Sequence, residues 1–326
     1  MNPGQAGGTG ALDIHGLCLD ARKRIRPFVR RTPLEYSPAL SRENGGSVLL
    51  KLESVQHTGS FKVRGALNRL LALDDGERRA GVVAASSGNH GLAMAFGMRR
   101  LGVAGTIYLP ENASPLKVRM LEELGADVRF HGTDCDTTEA YARREANITG
   151  RTYVSPYNDP LVLGGQGTIG LEILERLPRV DVVFTSVGGG GLIAGVAGSV
   201  KAVRREAAVV GCLPEHSPAM AESVRLGRVA AVDHRETLSD GTAGGIEPGA
   251  ITVDPCRALV DDWVLVPEAE IRDAMERVFY HHGLVIEGAA AVAVAGFLKT
   301  APRFAGKTVA LVICGRNIDI HGAQHI

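Results

Sequence analysis

The sequence predicts an α/β protein built on two open, largely parallel, twisted sheets flanked by helices. Short β-rich runs alternate with helical patterns along most of the 326 residues, the signature of repeated strand and helix units. The alternation separates into two series, and in each an apolar run ends in a turn of small residues that opens a helix. With 45% hydrophobic and 22% charged residues, the chain is long enough to fill two cores.

The first series starts at Val82-Val83-Ala84-Ala85, followed by a small-residue turn and a helix from about Gly88 to Leu101. A strand at Thr106-Ile107-Tyr108-Leu109 leads to a helix opened by Ser114-Pro115, where serine can cap free N–H groups and proline suits the first helical position. Val128-Arg129-Phe130 and a helix from Thr137 to Asn147 complete the unit. Residues 81–155 are thus expected to form a smaller inserted domain, with 1–80 and 156–326 forming the larger one. In the second series a strand from Asp181 to Val187 meets four consecutive glycines and a helix reaching Val203. Strands at Val209-Val210-Gly211 and Trp263-Val264-Leu265-Val266 follow, then helices from Glu268 to His281 and Glu287 to Leu298, and a buried strand from Thr308 to Ile313. No internal repeat and no appended regulatory domain is expected in these residues, and residues 1–8 read as a mobile tail.

Lys and Arg balance Asp and Glu at 36 each, so no net field draws the protein to nucleic acid or an anionic membrane, and small molecules are the expected partners. Cys18, Cys135, Cys212, Cys256 and Cys314 are odd in number and scattered, with no C-x-x-C pair to suggest zinc or redox chemistry. A reducing cytoplasm fits that usage. The N-terminal residues lack the basic and apolar regions of a secretory leader, and no apolar run is long enough to span a bilayer.

Three loops and one lysine carry the chemistry. Gly188-Gly189-Gly190-Gly191 lies between an apolar strand and a helix, where bare backbone N–H groups could cradle a phosphate or simply make a tight turn. It is not a full dinucleotide fingerprint, because the next strand ends without the acid that holds a ribose, and no Lys-Ser or Lys-Thr makes it a P-loop. Ser86-Ser87-Gly88-Asn89-His90 sits likewise before a helix and could hold a carboxylate, or serve only as an N-cap. Cys314-Gly315-Arg316-Asn317 follows the last strand. All three loops fall at strand carboxyl ends, where open α/β sheets bind ligands. Lys62, within Thr58-Gly59-Ser60-Phe61-Lys62-Val63-Arg64-Gly65-Ala66, is either a surface cation or a nucleophilic amine. Two anion cradles with such an amine suggest a phosphorylated aldehyde cofactor tethered to lysine beside a carboxylate substrate, and pyridoxal phosphate meets those requirements.

At these residues the sequence resembles the fold-type II pyridoxal-phosphate enzymes, and among them the threonine/serine dehydratase and serine racemase group. Arg31-Thr32-Pro33-Leu34, Leu50-Lys51-Leu52-Glu53, the lysine stretch, residues 86–90, Gly164-Gly165-Gln166-Gly167-Thr168, the glycine loop, Ser239-Asp240-Gly241, Glu287 and residues 314–317 follow in that group's order. The resemblance implies a tryptophan synthase β-like fold and makes Lys62 the lysine that forms the Schiff base, with Phe61 packing beside the ring. It gives Asn89 the ring hydroxyl, Gly188, Gly189, Gly190 and Gly191 the phosphate, and Cys314 the pyridine nitrogen, with Glu287 also at the cofactor. Ser86, Ser87, Asn89 and His90 would take the substrate carboxylate, and Ser239 and Arg316 would face the substrate. A thiol cannot hold a pyridine nitrogen protonated as an aspartate would, so prompt loss of a β-substituent is favoured. The implied reaction is β-elimination of water from a β-hydroxy amino acid, giving a 2-oxo acid and ammonia, by a homodimer.

Departures from the group's pattern leave alternatives. Arg316 stands where relatives carry glycine and could meet a second substrate carboxylate. Cys212-Leu213-Pro214 and Ala219 stand where cation-binding relatives have oxygen ligands, so no metal is expected. A dehydratase for hydroxyaspartate or for an intermediate of hydroxyectoine breakdown, an amino-acid racemase using Ser87 on the ring face opposite Lys62, and a non-catalytic phospho-ligand binder stay open.

Overall fold

The computed structural model describes residues 12–318, so the expected N-terminal tail lies outside the described residues. The chain opens with α1 (Ile14–Ile25), β1 (Leu34–Tyr36), α2 (Pro38–Asn44), β2 (Ser47–Leu52), α3 (Lys62–Leu71) and α4 (Asp75–Ala80). There follow β3 (Val82–Ala85), α5 (Asn89–Leu101), β4 (Gly105–Leu109), α6 (Pro115–Glu123), β5 (Asp127–Phe130), α7 (Cys135–Thr149) and β6 (Thr152–Tyr153). The remainder is α8 (Pro160–Arg176), β7 (Val182–Ser186), α9 (Gly191–Val203), β8 (Ala208–Pro214), α10 (Ala219–Leu226), α11 (Val253–Leu259), β9 (Asp262–Val266), α12 (Glu268–His282), α13 (Gly288–Thr300) and β10 (Thr308–Ile313).

Among the described residues the strands form two sheets. One has six strands in the order β1-β2-β10-β7-β8-β9, and the other four in the order β5-β4-β3-β6. Every pairing is parallel except β1 on β2 at the edge of the larger sheet. The central strands β10 and β7 carry Val309, Ala310, Leu311, Phe184 and Val183, all inaccessible to solvent, as a parallel sheet covered on both faces requires. The core under the smaller sheet is not closed by its own strands and helices alone: Val63, Ala66, Leu67 and Leu70 of α3 and Ile25 of α1 pack into it with Leu92, Met94 and Ile107.

The expected strands and helices of both series are present, with ends that move for local reasons. The helix expected from Thr137 begins two residues earlier, because the Asp134 carboxylate caps it by accepting the Thr137 N–H at 2.8 Å. Ser114 takes the N-cap position of α6 ahead of Pro115 but makes no capping hydrogen bond through its side chain. The 17-residue helix α8 was not expected as a helix, since its glycines carry poor helix propensity. Packing overrides propensity here. A Cβ on Gly165 would lie 2.6 Å from Gly65 Cα, and one on Gly167 2.6 Å from the Gly195 carbonyl, so these glycines allow α8 to lie against α3 and α9.

That close approach is reinforced by a buried charge cluster. Arg64, on the first turn of α3, is inaccessible to solvent. It donates through Nε and Nη2 to Glu53 at 2.8 Å each and through Nη1 and Nη2 to Glu172 of α8 at 2.7 and 2.9 Å. Lys51 of β2 completes the cluster, pairing with Glu172 and donating to the Thr32 carbonyl at 2.9 Å. Two cations and two carboxylates thus neutralise one another, with Thr168 accepting a further Arg64 N–H at 3.0 Å. Removing one partner strands a buried charge. Arg64→Ala is therefore expected to lose about 3–5 kcal/mol of unfolding free energy in urea titrations, more than Arg22→Ala at the exposed Glu175 pair.

Candidate active site

The lysine stretch is fixed from behind by Arg64 and from the side by the loop after β10. Phe61 N–H donates to the Cys314 carbonyl at 3.0 Å, Arg316 N–H to the Gly59 carbonyl at 2.9 Å, and Ser60 bridges Gly315 in an antiparallel sense. Asn317 Nδ2 adds a bond to the Thr58 carbonyl at 2.8 Å. Gly59 has φ +72°, a conformation that side chains rarely adopt. Lys62 opens α3, with its Nζ 2.9 Å from the Pro156 carbonyl and 5.3 Å from the centre of the Phe61 ring. Burial pulls its ammonium down to about 8, against the opposing pull of the Cys314 and Glu287 side chains. This is an amine that can be neutral near physiological pH.

Lys62 shares a cavity with Asn89, Tyr157, Gly188 to Gly191, Gly241, Thr242, Glu287 and Cys314. The glycine loop joins β7 to α9, and a side chain would be crowded or strained at three of its positions. A Cβ on Gly188 would lie 3.0 Å from Thr242 Cα, one on Gly190 2.7 Å from Met220 Cε, and one on Gly189 would collide with the Tyr157 ring. Gly190 also has φ +84°. The bare N–H groups at the start of α9 make an anion cradle.

The loop before α5 supplies Asn89, and its environment is a small polar network. Asn89 Nδ2 donates to both oxygens of Glu287, at 2.9 and 3.0 Å, while Asn89 Oδ1 accepts from Asn317 Nδ2 at 2.6 Å. Glu287 also accepts the Asn317 N–H at 3.1 Å. Burial pushes the Glu287 carboxyl up to about 7, opposed by the Asn89 hydrogen bond. Cys314 Sγ lies 3.4 Å from Ser186 Oγ and 3.8 Å from Glu287 Oε1, and burial holds the thiol protonated.

Other expected site residues sit differently. His90 is buried, and its Nε2 donates to the Val154 carbonyl at 2.9 Å. Burial, then the Lys62 charge, push the ring down to about 3, so the His90 ring is neutral and brings no positive charge to the site. Ser86 Oγ accepts the Gly88 N–H at 3.2 Å, and Ser87 stands beside it, partly buried at the turn before α5. Ser239 is buried with its hydroxyl on Thr242 Oγ1 at 2.5 Å, and it is the neighbours Gly241 and Thr242 that line the cavity. Arg316 is exposed and absent from that lining. Cys212 and Leu213 are buried in β8, and Ala219 opens α10. Sequence reasoning missed Tyr157, whose ring packs on Gly189 and whose Cβ and backbone pack on Gly191; its only sequence signal was an aromatic beside Pro156. It also gave no role to Asn317, which joins three loops.

These residues fit pyridoxal phosphate: a desolvated primary amine, a side-chain-free cradle for a phosphate, and an amide and a thiol for ring heteroatoms. Residues 25–315 match the family described as pyridoxal-phosphate dependent enzyme. The chain belongs to that family. It is 43% identical to the L-threonine ammonia-lyase of Thermotoga maritima, covering 94% of this chain and 76% of that one. It is 38% identical to the catabolic L-threonine dehydratase of Escherichia coli K12, over 94% of each chain. Its fold superposes on the structure of maize serine racemase with a TM-score of 0.90 at 30% identity, covering 97% of each chain. The protein is therefore a pyridoxal-phosphate enzyme with the fold-type II architecture.

Two expectations follow. Gly189→Ala should release pyridoxal phosphate on gel filtration under conditions where the parent enzyme retains it, because the added methyl displaces Tyr157 from the cradle. Glu287 has a folded pKa above its ordinary 4.5, so the folded cofactor-free protein binds the extra proton between pH 4.5 and 7. Stability from this group is present below about 4.5 and is lost as pH rises through 7. Melting temperatures of cofactor-free Glu287→Gln relative to the parent should accordingly shift upward between pH 4.5 and 7.5.

Proposed function

We propose that the protein eliminates water from a β-hydroxy amino acid with an uncharged side chain, of the threonine or serine type, yielding a 2-oxo acid and ammonia. The observation that carries this reading is the placement of the Lys62 amine between the glycine loop and the N-terminus of α5, with the protonated Cys314 thiol in the same cavity. Pyridoxal phosphate supplies the aldehyde that condenses with amines and the ring that draws electrons from the substrate Cα. The chain does the rest.

Gly188 to Gly191 would hold the cofactor's phosphate, and Phe61 would pack beside its ring. Asn89, its amide oriented by Glu287 and Asn317, would meet the ring hydroxyl. Ser86, Ser87 and the N–H groups of Asn89 and His90 hold the substrate carboxylate at a helix N-terminus. Lys62 Nζ, as a free amine, would take the Cα proton as general base. With the cofactor bound, Cys314 would be a weak, uncharged donor to the ring nitrogen and the ring a modest electron sink, which favours prompt loss of the β-hydroxyl, leaving with a proton as water, over storage of charge at Cα. The enamine product takes up water and gives the oxo acid and ammonia.

An uncharged side chain is supported by the charges that line the cavity. Its charged lining residues are Lys62 and Glu287, so a second carboxylate on the substrate would meet no further cation there and would face the Glu287 acid. The family resemblance favours a homodimer. Balanced charge, five free thiols, and the lack, among described residues, of a helix long and apolar enough to cross a membrane support a cytoplasmic enzyme.

A panel of serine, both threonine diastereomers and hydroxyaspartate, assayed for 2-oxo acid and for inverted amino acid in deuterated solvent, tests the reading. Threonine or serine should give oxo acid, with kcat/KM for hydroxyaspartate about 100-fold lower. Inverted substrate deuterated at Cα, without oxo acid, would make it a racemase. Lys62→Ala should abolish turnover while still taking up cofactor noncovalently, and retained turnover would refute the assignment.

A further inference from the structure

The glycine loop is held on its outer side by a strap that leads away from the cavity to the smaller sheet. Thr252 Oγ1 donates to the Gly189 carbonyl at 2.7 Å. Five residues earlier, the Glu247 N–H donates to the Tyr157 hydroxyl at 2.9 Å, and between them the Ile251 N–H donates to Asn158 Oδ1 at 2.8 Å. The Tyr157 ring meanwhile fills the space beside Gly189, and its Cβ and backbone the space beside Gly191. Residues 247–252 thus grip both the loop and the aromatic ring that shapes it.

The Glu247 carboxylate continues outward. It accepts Arg143 Nη2 at 2.5 Å, and Arg143 belongs to α7, which packs on the smaller sheet. The guanidinium is stacked 4.2 Å from the centre of the Tyr153 ring of β6 and is steadied by Glu139 at 2.7 Å. The pair is shielded, with side chains 34% and 19% exposed, so it is less screened than a surface ion pair. Neither residue lines the cavity.

We propose that the Arg143–Glu247 pair is a clasp that positions the strap, and through it Tyr157 and the glycine loop, so that retention of the cofactor depends on an ion pair outside its own cavity. Arg143 and Glu247 are positioning residues: their effect reaches the phosphate by way of the Glu247 backbone and the Tyr157 ring. This rests on the reading that the glycine loop takes the phosphate.

Release of pyridoxal phosphate from the holoenzyme into a trap, followed by its absorbance, tests the clasp. Glu247→Gln and Arg143→Gln should each speed release about three- to tenfold, the double variant should be no faster than the faster single, and Arg143→Lys should restore most of the retention. Tyr157→Phe, which removes the Glu247 N–H acceptor, should also speed release. Glu139→Gln, which alters Arg143's partner within α7 but not the strap, should stay within about twofold of the parent. Unchanged release in Glu247→Gln, or single effects that multiply in the double variant, would overturn the proposal. If Arg143→Gln does not fold, Glu247→Gln and Tyr157→Phe decide it. Faster release in Gly189→Ala with no change in Glu247→Gln would refute the clasp alone, whereas no change in Gly189→Ala would refute the phosphate reading and the clasp with it.

Discussion

The neutralisation of Arg64 inside the protein is the constraint on which the site depends. Its guanidinium sits two residues from Lys62 with no access to solvent, and such a charge is tolerable only when its donors are satisfied by carboxylates. Glu53 and Glu172 satisfy it, and Lys51 balances the remaining charge. The consequence is geometric. A strand, a turn and two helices must meet at one point, and the first turn of α3, carrying Lys62, is held at their junction.

From that fixed point the site is assembled by backbone pairing more than by side-chain packing. The lysine loop and the loop after β10 run antiparallel, exchanging the hydrogen bonds of Gly59, Phe61, Cys314 and Arg316. Asn317 then ties this pair of loops to Asn89 at the head of α5. Three loops that end strands of two different sheets therefore share one network. Displacement of any one would unsatisfy polar groups in the other two.

Two titrating groups of opposite type face this cavity, and both are pushed toward neutrality by the same cause. Desolvation lowers Lys62 to about 8 and raises Glu287 to about 7, so near neutral pH both the amine and the carboxyl group are poised between charge states. Tyr157, in the cavity wall, and the strap from Glu247 to Thr252 behind it hold the glycine loop from its other side. The cradle's lack of side chains is useful only because other residues hold its shape.

The sequence by itself determined the two α/β series, the three strand-end loops and the lysine, because strand and helix periods and glycine turns are local signals. Order along the chain also placed Lys62, the glycine loop and residues 314–317 in one family pattern. It could not read α8 as a helix, since the value of Gly165 and Gly167 lies in contacts with Gly65 and Gly195 far along the chain. It could not tell that His90 turns its neutral ring to the Val154 carbonyl, that Ser239 bonds Thr242 and leaves the cavity wall to its neighbours, or that Arg316 stays in solvent. Nor did it single out Tyr157 or Asn317. Residue type limits what a side chain can do, whereas its direction and its partners are set by packing between distant segments, and only the tertiary structure decides those.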